Sequence, residues 1–198
     1  TIANANLEPE DGLHQNLSIE RSIDGGYVRV NVFGETIKDV IFNQTAIVDN
    51  RAITTFLPVD EVRTQGIEFV INRSDIASQL DLRFNVAYVD SEITENSANP
   101  AVEGNAFPRM PKWRSNLLGT WHITDKWDLG GGIRYASDNY GNLDNLDTAN
   151  GVFGAQDSYT QIGLKTGYSL TDSLKLNLGI DNLTDEVAFV HAPRTALA

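Results

Sequence analysis

From Gln79 to Tyr88, large apolar side chains alternate with side chains that are polar or, at Ala87, small. The apolar positions are Leu80, Leu82, Phe84, Val86 and Tyr88. Successive side chains of a β-strand point to opposite faces of a sheet, so a period of two gives a strand with one apolar face and one polar face. An α-helix, with about 3.6 residues per turn, cannot place these residues on one side. The segment Gln79 to Asp90 therefore predicts a β-strand.

The same alternation recurs along nearly the whole chain, for example at Val28, Val30 and Val32. It predicts an all-β, antiparallel protein rather than a helical one. The predicted strands lie near residues 13–21, 27–42, 61–72, 79–91, 111–122, 127–139, 157–169 and 174–185, with a ninth that begins near Arg194.

The predicted connections alternate in length. The short ones lie at residues 22–26, 74–78, 123–126 and 170–173, and the long ones at 43–60, 92–110 and 140–156. In an up-and-down meander every second connection lies at the same end, so one rim carries the short turns and the other the long loops. Outer-membrane barrels have this asymmetry. Most of the predicted strands have about nine to thirteen residues, against the nine to eleven that a tilted strand needs to cross a bilayer.

Aromatic residues cluster near the predicted strand ends, where tyrosine and tryptophan favour the two membrane interfaces. We therefore expect two aromatic belts, one at each rim. Those beside the short turns are Tyr27, Trp127 and Tyr168, and those toward the long loops are Tyr88, Trp113, Tyr135 and Tyr159.

Composition excludes several classes of protein. No run of about 18 uncharged apolar residues is present in the 198 residues, so a spanning helix is not expected. The net charge of -12 argues against a nucleic-acid partner. The chain has no cysteine, and it contains no Gly-X-Ser-X-Gly element. The three histidines are far apart in sequence, so we expect neither an enzyme nor a bound cofactor.

Four segments, taken in order, resemble the C-terminal part of the barrel of TonB-dependent receptors of Gram-negative outer membranes. Asn4–Glu10 resembles a strand opening after an extracellular loop, and Val62–Phe69 resembles an element that ends in Gly-hydrophobic-Glu. Pro108–Leu117 resembles a Pro-X-X-X-Asn strand entry, and Leu178–Asp185 a near-terminal Asn-Leu-X-Asp element. The family's plug domain and energy-coupling box are not found, and the chain stops at Ala198, within the expected closing strand.

The resemblance implies that residues 1–198 are the C-terminal portion of an antiparallel up-and-down transmembrane β-barrel. About eight to nine of some 22 strands would be present. It implies a receptor in the bacterial outer membrane that imports a scarce nutrient, foremost a ferric siderophore. The expected partners are the TonB-ExbB-ExbD complex acting through the plug, the lipid bilayer, lipopolysaccharide and a small-molecule metal chelate. A passive porin, a structural or adhesive barrel, and a soluble ligand-binding β protein are the alternatives.

Candidate site residues fall into three groups. Asn142, Asp144 and Asp147 supply oxygen ligands of the kind that Ca²⁺ takes, although the same residues also favour solvated turns. Tyr140, Arg109 and Glu103 lie in the long loops and are candidates for contact with a ligand. The third group is expected to face the lumen and to form cross-strand ion pairs with neighbours such as Glu68, Asp128 and Lys175. It consists of Asp81, Arg83, Arg134, Lys165 and Asp181.

Overall fold

The computed structural model describes residues 7–48, 51–152 and 156–189. They form one antiparallel sheet of eight strands in chain order, as the alternating pattern predicts. Within these residues helical structure is confined to a 3-10 turn at Pro100–Val102, and no helix has the length and apolar character needed to cross a membrane. The strands are β1 (Asp11–Ile23), β2 (Gly26–Val48), β3 (Arg51–Ile76), β4 (Leu80–Glu95), β5 (Trp113–Thr124), β6 (Trp127–Ala136), β7 (Tyr159–Thr171) and β8 (Leu174–Ile180).

The register places the alternating residues of all eight strands on two continuous faces. Phe84 pairs with Leu117, Leu117 with Ile133 and Ile133 with Ile162, so these four side chains share one face. We call it the apolar face and the opposite one the polar face. The apolar face is not a core, because Leu178, for example, is 74% exposed. Exposed apolar surface costs about 25 cal/mol per Å² in water, so a face of this kind requires a non-aqueous neighbour.

The sheet is open, with β1 and β8 at its edges. The two-residue to three-residue turns at 24–25, 77–79, 125–126 and 172–173 all lie on one rim, which we call the short-turn rim. The segments that follow β4 and β6 lie on the other, the long-loop rim. This separation of short and long connections confirms the predicted asymmetry.

All seven aromatic residues lie near the rims at which they were predicted, but only five of them lie on the apolar face that a membrane belt requires. Tyr88 packs on Trp113 with ring centroids 4.9 Å apart near the long-loop rim, and Trp127 pairs with Tyr168 near the short-turn rim. Tyr135 also lies on the apolar face, paired with Ser115. Tyr27 and Tyr159 lie on the polar face instead, because they pair with Asn72 and Ala136. The position of an aromatic residue along its strand determines how close its ring lies to a rim. Whether the ring lies on the apolar or the polar face depends on the alternation of side chains along the strand.

The predicted loop at 43–60 is wrong, because β2 and β3 continue through it as a two-stranded hairpin. Their pairing runs unbroken in register from Val40 opposite Val59 to Val48 opposite Arg51. Polar residues such as Gln44 and Thr45, together with Pro58, hide this extension from a search for alternation. The hairpin carries the long-loop rim well beyond the ends of the neighbouring strands.

Several other strand ends differ from the prediction by a few residues. β4 continues to Glu95, β6 already ends at Ala136, and β8 ends at Ile180 rather than near Asp185. After β8 the chain turns, with Asn182 and Asp185 at positive φ. The ninth strand expected from Arg194 lies outside the described residues.

Candidate functional site

The long connections fold together into a small structure of their own, which we call the loop cap. It consists of the outer part of the β2–β3 hairpin and residues 92–112 and 137–152. Its core is apolar and is formed by Val40, Val59, Val62, Ile93, Val102 and Leu143. The rings of Phe42 and Phe107 meet edge to face on this core at 5.6 Å. Since Val59 and Ile93 are fully buried, the cap is packed as a protein interior is.

A buried amide holds two of these segments together. Asn96 is fully buried, its side-chain nitrogen donates to Oε1 of Gln44 at 3.2 Å, and its side-chain oxygen accepts from the Asn99 backbone at 3.2 Å. Glu103 accepts a hydrogen bond from the backbone of Asn96 at 2.9 Å. Glu103, expected as a ligand contact, therefore orders the segment after β4.

Asn145 joins the two other segments of the cap. Its side chain accepts from the Ala106 backbone at 2.8 Å and donates to the Ala106 carbonyl at 3.0 Å. The backbone of Asn145 has a φ of 54°, a left-handed conformation that asparagine tolerates. The Asn145 side chain thus makes the same pair of hydrogen bonds to Ala106 that a residue on a neighbouring antiparallel strand would make with its backbone.

Arg109 and Tyr140, the two other predicted loop candidates, lie next to each other. The backbone of Arg109 donates to the carbonyl of Tyr140 at 2.7 Å, and its guanidinium stacks over the ring of Phe42 at 5.7 Å. Tyr140 also lines a cavity of about 270 Å³ above Trp113, together with Met110, Asp138, Asn139 and Asp147. This cavity combines aromatic walls with oxygen-bearing side chains.

The calcium candidates are spread through one turn. Asp144 accepts from the Leu146 backbone at 3.1 Å, and Oδ2 of Asp147 accepts from the Gly141 backbone at 2.6 Å. Among the described residues, neither Oδ1 of Asp147 nor Oδ1 of Asn139, both buried, has a hydrogen-bond partner. Asn142 contributes its backbone carbonyl to Asn145. Within the described residues no group of three or more acidic, histidine or cysteine side chains is placed to hold a metal ion. Calcium binding by this turn stays a prediction.

The polar face carries a row of hydrogen-bonding side chains at mid-height. Asn85, Asn116, Arg134 and Gln161 are successive register partners on four strands. They line a groove of about 670 Å³ with Asp181, which follows β8 directly. No side-chain hydrogen bond of these four residues occurs within the part of the chain that the structure describes. Each therefore retains its donors and acceptors for another group.

The predicted cross-strand ion pairs form at one end of the polar face only. Arg83, Arg134 and Lys165 lie on this face and are exposed, but none has an ion pair among the described residues. Arg114, which the sequence analysis missed, lies on the same face opposite Ala87 and is likewise exposed and unpaired there. Glu68, an expected partner, accepts from the side chain of Asn31 instead, at 2.8 Å.

Three of the expected residues, Asp81, Asp128 and Lys175, do form ion pairs, and these centre on His122 near the short-turn rim. Its two ring nitrogens lie 2.8 Å from Asp128 and 3.3 Å from Asp81, and Asp128 also pairs with Lys175 at 2.6 Å. Asp81 accepts in addition from the backbone of Asp75 at 2.9 Å. The register of β4, β5 and β6 brings these groups together. The sequence analysis did not predict that His122 would pair with these carboxylates, because Asp81 lies far from it along the chain.

Comparison with known proteins identifies the protein family to which this sheet is similar. A family model described as "TonB dependent receptor-like, beta-barrel" matches residues 1–183. A curated relative, the "Probable TonB-dependent siderophore receptor PiuA" of Acinetobacter baumannii, is 26% identical over 148 residues. The match covers 70% of this chain and 19% of that protein, so the chain spans about a fifth of its relative's length.

Solved structures show the same fold at low identity. A mutant of the ferric enterobactin receptor PfeA of Pseudomonas aeruginosa, in complex with enterobactin, superposes with a TM-score of 0.69 at 22% identity. That match covers 94% of this chain and 28% of the receptor. The copper transporter OprC superposes with a TM-score of 0.70 at 18% identity, over 94% of this chain and 27% of the transporter.

Proposed function

We propose that this chain, which belongs to the TonB-dependent receptor β-barrel family, is part of a receptor that imports a ferric siderophore with energy from the TonB complex. Members of this family are outer-membrane proteins, so the apolar face meets hydrocarbon and the polar face meets the lumen. The family consists of transport receptors rather than enzymes. Our proposal concerns three further points, namely the imported cargo, the coupling of import to the TonB complex, and the presence of a plug domain in the full-length receptor.

The observation that carries the proposal is the set of exposed cations on the polar face. Arg83, Arg114, Arg134 and Lys165 have no ion pair within the described residues, although the chain as a whole has a net charge of -12. Siderophores bind iron through catecholate, hydroxamate or carboxylate oxygens, and many of their ferric complexes are anions. Uncommitted guanidinium and ammonium groups beside amide side chains suit such a ligand.

The loop cap supports the same function. Its packed core holds Arg109 and Tyr140 at the long-loop rim, where a ligand from outside arrives first. A preorganised binding surface loses less conformational entropy when a ligand binds. The name of the relative PiuA includes siderophore, whereas OprC is called a copper transporter. Ferric siderophore is therefore the first cargo to test, and a copper species the second.

The test is growth of a strain that lacks the gene for the full-length receptor, on a panel of ferric siderophores, haem, cobalamin and copper. We expect loss of growth on one siderophore under iron limitation. Loss of uptake of copper, cobalamin or haem alone would overturn the cargo. Removing TonB from the intact strain should abolish uptake, and continued uptake would instead indicate a passive porin.

A matched pair of variants tests the cations of the polar face. Arg134→Gln removes an unpaired cation from the lumenal row, and Arg21→Gln removes an exposed one from the apolar face. Loss of one charge-assisted hydrogen bond should raise the half-saturating siderophore concentration about tenfold in Arg134→Gln. Arg21→Gln should match the wild type. An equal effect of both variants would contradict a ligand role for Arg134.

A further inference from the structure

The apolar face contains a groove at the point where two glycines face each other. Gly119 on β5 pairs with Gly131 on β6, and the same row continues to Leu82 on one side and Leu164 on the other. Leucine side chains therefore flank two adjacent positions that have no side chain. The result is a depression of about 410 Å³ in the apolar face.

The groove is apolar throughout. Its floor is glycine backbone, Trp121 and Leu129 bound it toward the short-turn rim, and Leu117 and Ile133 bound it toward the middle of the sheet. None of the described residues that line it carries a charge, and the one polar side-chain atom among them is the indole nitrogen of Trp121. Water needs two to four polar partners to be held in a cavity, and this groove does not offer them.

The backbone does not require glycine at these two positions. Neither residue has a positive φ. A Cβ at Gly119 would meet no atom closer than the Asp81 carbonyl at 4.0 Å, and a Cβ at Gly131 would meet Leu164 at 3.4 Å, an ordinary contact. By contrast, a Cβ at Gly66 would lie 2.3 Å from the ring of Phe33. The space in the groove is therefore open to a ligand.

We propose that this groove binds one acyl chain of a phospholipid from the periplasmic leaflet of the outer membrane. The groove is continuous with the face that already contacts hydrocarbon, so a flexible alkyl chain is the neighbour whose chemistry fits it. It begins at Leu80, the first residue of β4, and ends near mid-height at Ile133, so it lies toward the short-turn rim. Short turns are periplasmic in outer-membrane barrels, and this position selects a phospholipid over the lipids of the outer leaflet.

Trp121 forms one wall of the site and is well placed to contact the chain. It pairs with Leu80 on one side and Leu129 on the other, and its side chain is 47% exposed. A large aromatic surface beside a glycine floor gives an alkyl chain contact from two directions. The same inference holds whatever cargo the receptor imports, because the groove faces away from the lumen.

The experiment uses the full-length receptor, delipidated in detergent and titrated with phosphatidylethanolamine, with bound lipids counted by native mass spectrometry. We expect one tight lipid. In Gly131→Leu the new side chain occupies the groove, and the affinity for that lipid should fall about threefold, because the acyl chain loses its van der Waals contacts with the glycine floor and gains only equivalent hydrocarbon elsewhere. Ser115→Leu, on the same face but outside the groove, is the matched control and should keep wild-type affinity.

Three results would overturn the proposal. They are equal lipid affinity in Gly131→Leu and the wild type, equal loss in Ser115→Leu, and conversion of a receptor dimer to monomers by Gly131→Leu, which would make a second copy the occupant. If Gly131→Leu does not assemble, Gly119→Leu provides the same test from the opposite strand, since its Cβ enters open space. Siderophore-dependent growth should be unchanged in each variant, so this test and that of the cargo fail separately.

Discussion

Nδ1 of His122 lies 2.8 Å from Oδ1 of Asp128, the residue directly opposite it on the neighbouring strand. Asp128 in turn holds Lys175 from two strands away, and Asp81 approaches the other nitrogen of His122. One carboxylate thus connects β5, β6 and β8 on the polar face, near the short-turn rim.

Asp128→Asn should lower the stability of the barrel slightly. The carboxylate is 30% exposed, so water screens its attraction for His122 and Lys175. We expect the Tm of the full-length receptor to fall by about 1–2 °C. Asp125→Asn removes the same charge from an adjacent turn and should leave the Tm unchanged; an equal decrease in both would attribute the effect to net charge alone.

Asn96→Ala should unfold the loop cap without unfolding the sheet. The substitution leaves Gln44 and the Asn99 backbone without their partner in a buried site, at a cost of about 1–3 kcal/mol. Amide hydrogen exchange in residues 92–112 should become faster while exchange in β5 and β6 stays slow. Asn142→Ala, at an exposed side chain of the same cap, is the control. Unchanged protection in Asn96→Ala would show that the apolar core alone holds the cap.

Gly66→Ala should destabilise the sheet, whereas Gly34→Ala should not. A Cβ at Gly66 would lie 2.3 Å from Phe33 and 2.5 Å from the Tyr88 carbonyl, so side chain and backbone must both move. Overpacking of this kind costs about 1–3 kcal/mol. Gly34 has no atom within 4 Å of the same point, and alanine there should raise stability by about 0.5 kcal/mol. Urea unfolding in detergent measures both, and an equal effect would contradict the packing argument.

Asp147 should act through its hydrogen bond to Gly141. Asp147→Asn keeps an acceptor oxygen for that bond and should preserve the loop, whereas Asp147→Ala removes it and should increase proteolysis between residues 137 and 152. A calcium chelator should leave the wild type unchanged if turn formation is the whole role. A Tm that rises with calcium in the wild type, but not in Asp147→Asn, would support the metal prediction instead.

The alternation of apolar and polar residues was enough to predict the sheet, its order and its two rims, because a strand with one lipid face has to obey a period of two. It failed for the β2–β3 extension. Beyond the membrane that hairpin has no lipid face, so residues such as Gln44 and Thr45 give no alternating pattern. Pairing with the opposite strand, which is not local in sequence, is what makes the extension a hairpin.

The candidate site was predicted less completely, since its residues meet only through register and long-range packing. Asp81 and His122 are neighbours because β4 and β5 pair, and Gln44 and Asn96 because two loops fold on one core. Lys165 and Arg134 were placed on the polar face by parity, yet the ion pairs predicted for them do not form among the described residues. Parity gives the face of a side chain and leaves its contacts undetermined.

The packed core of the loop cap separates the shape of these loops from the chemistry at their surface. Val59 and Ile93 fix the backbone from inside, so an exposed residue above them can change while the framework stays in place. A cap built in this way can change its exposed chemistry through substitutions of single side chains, with no loop lengthened or refolded.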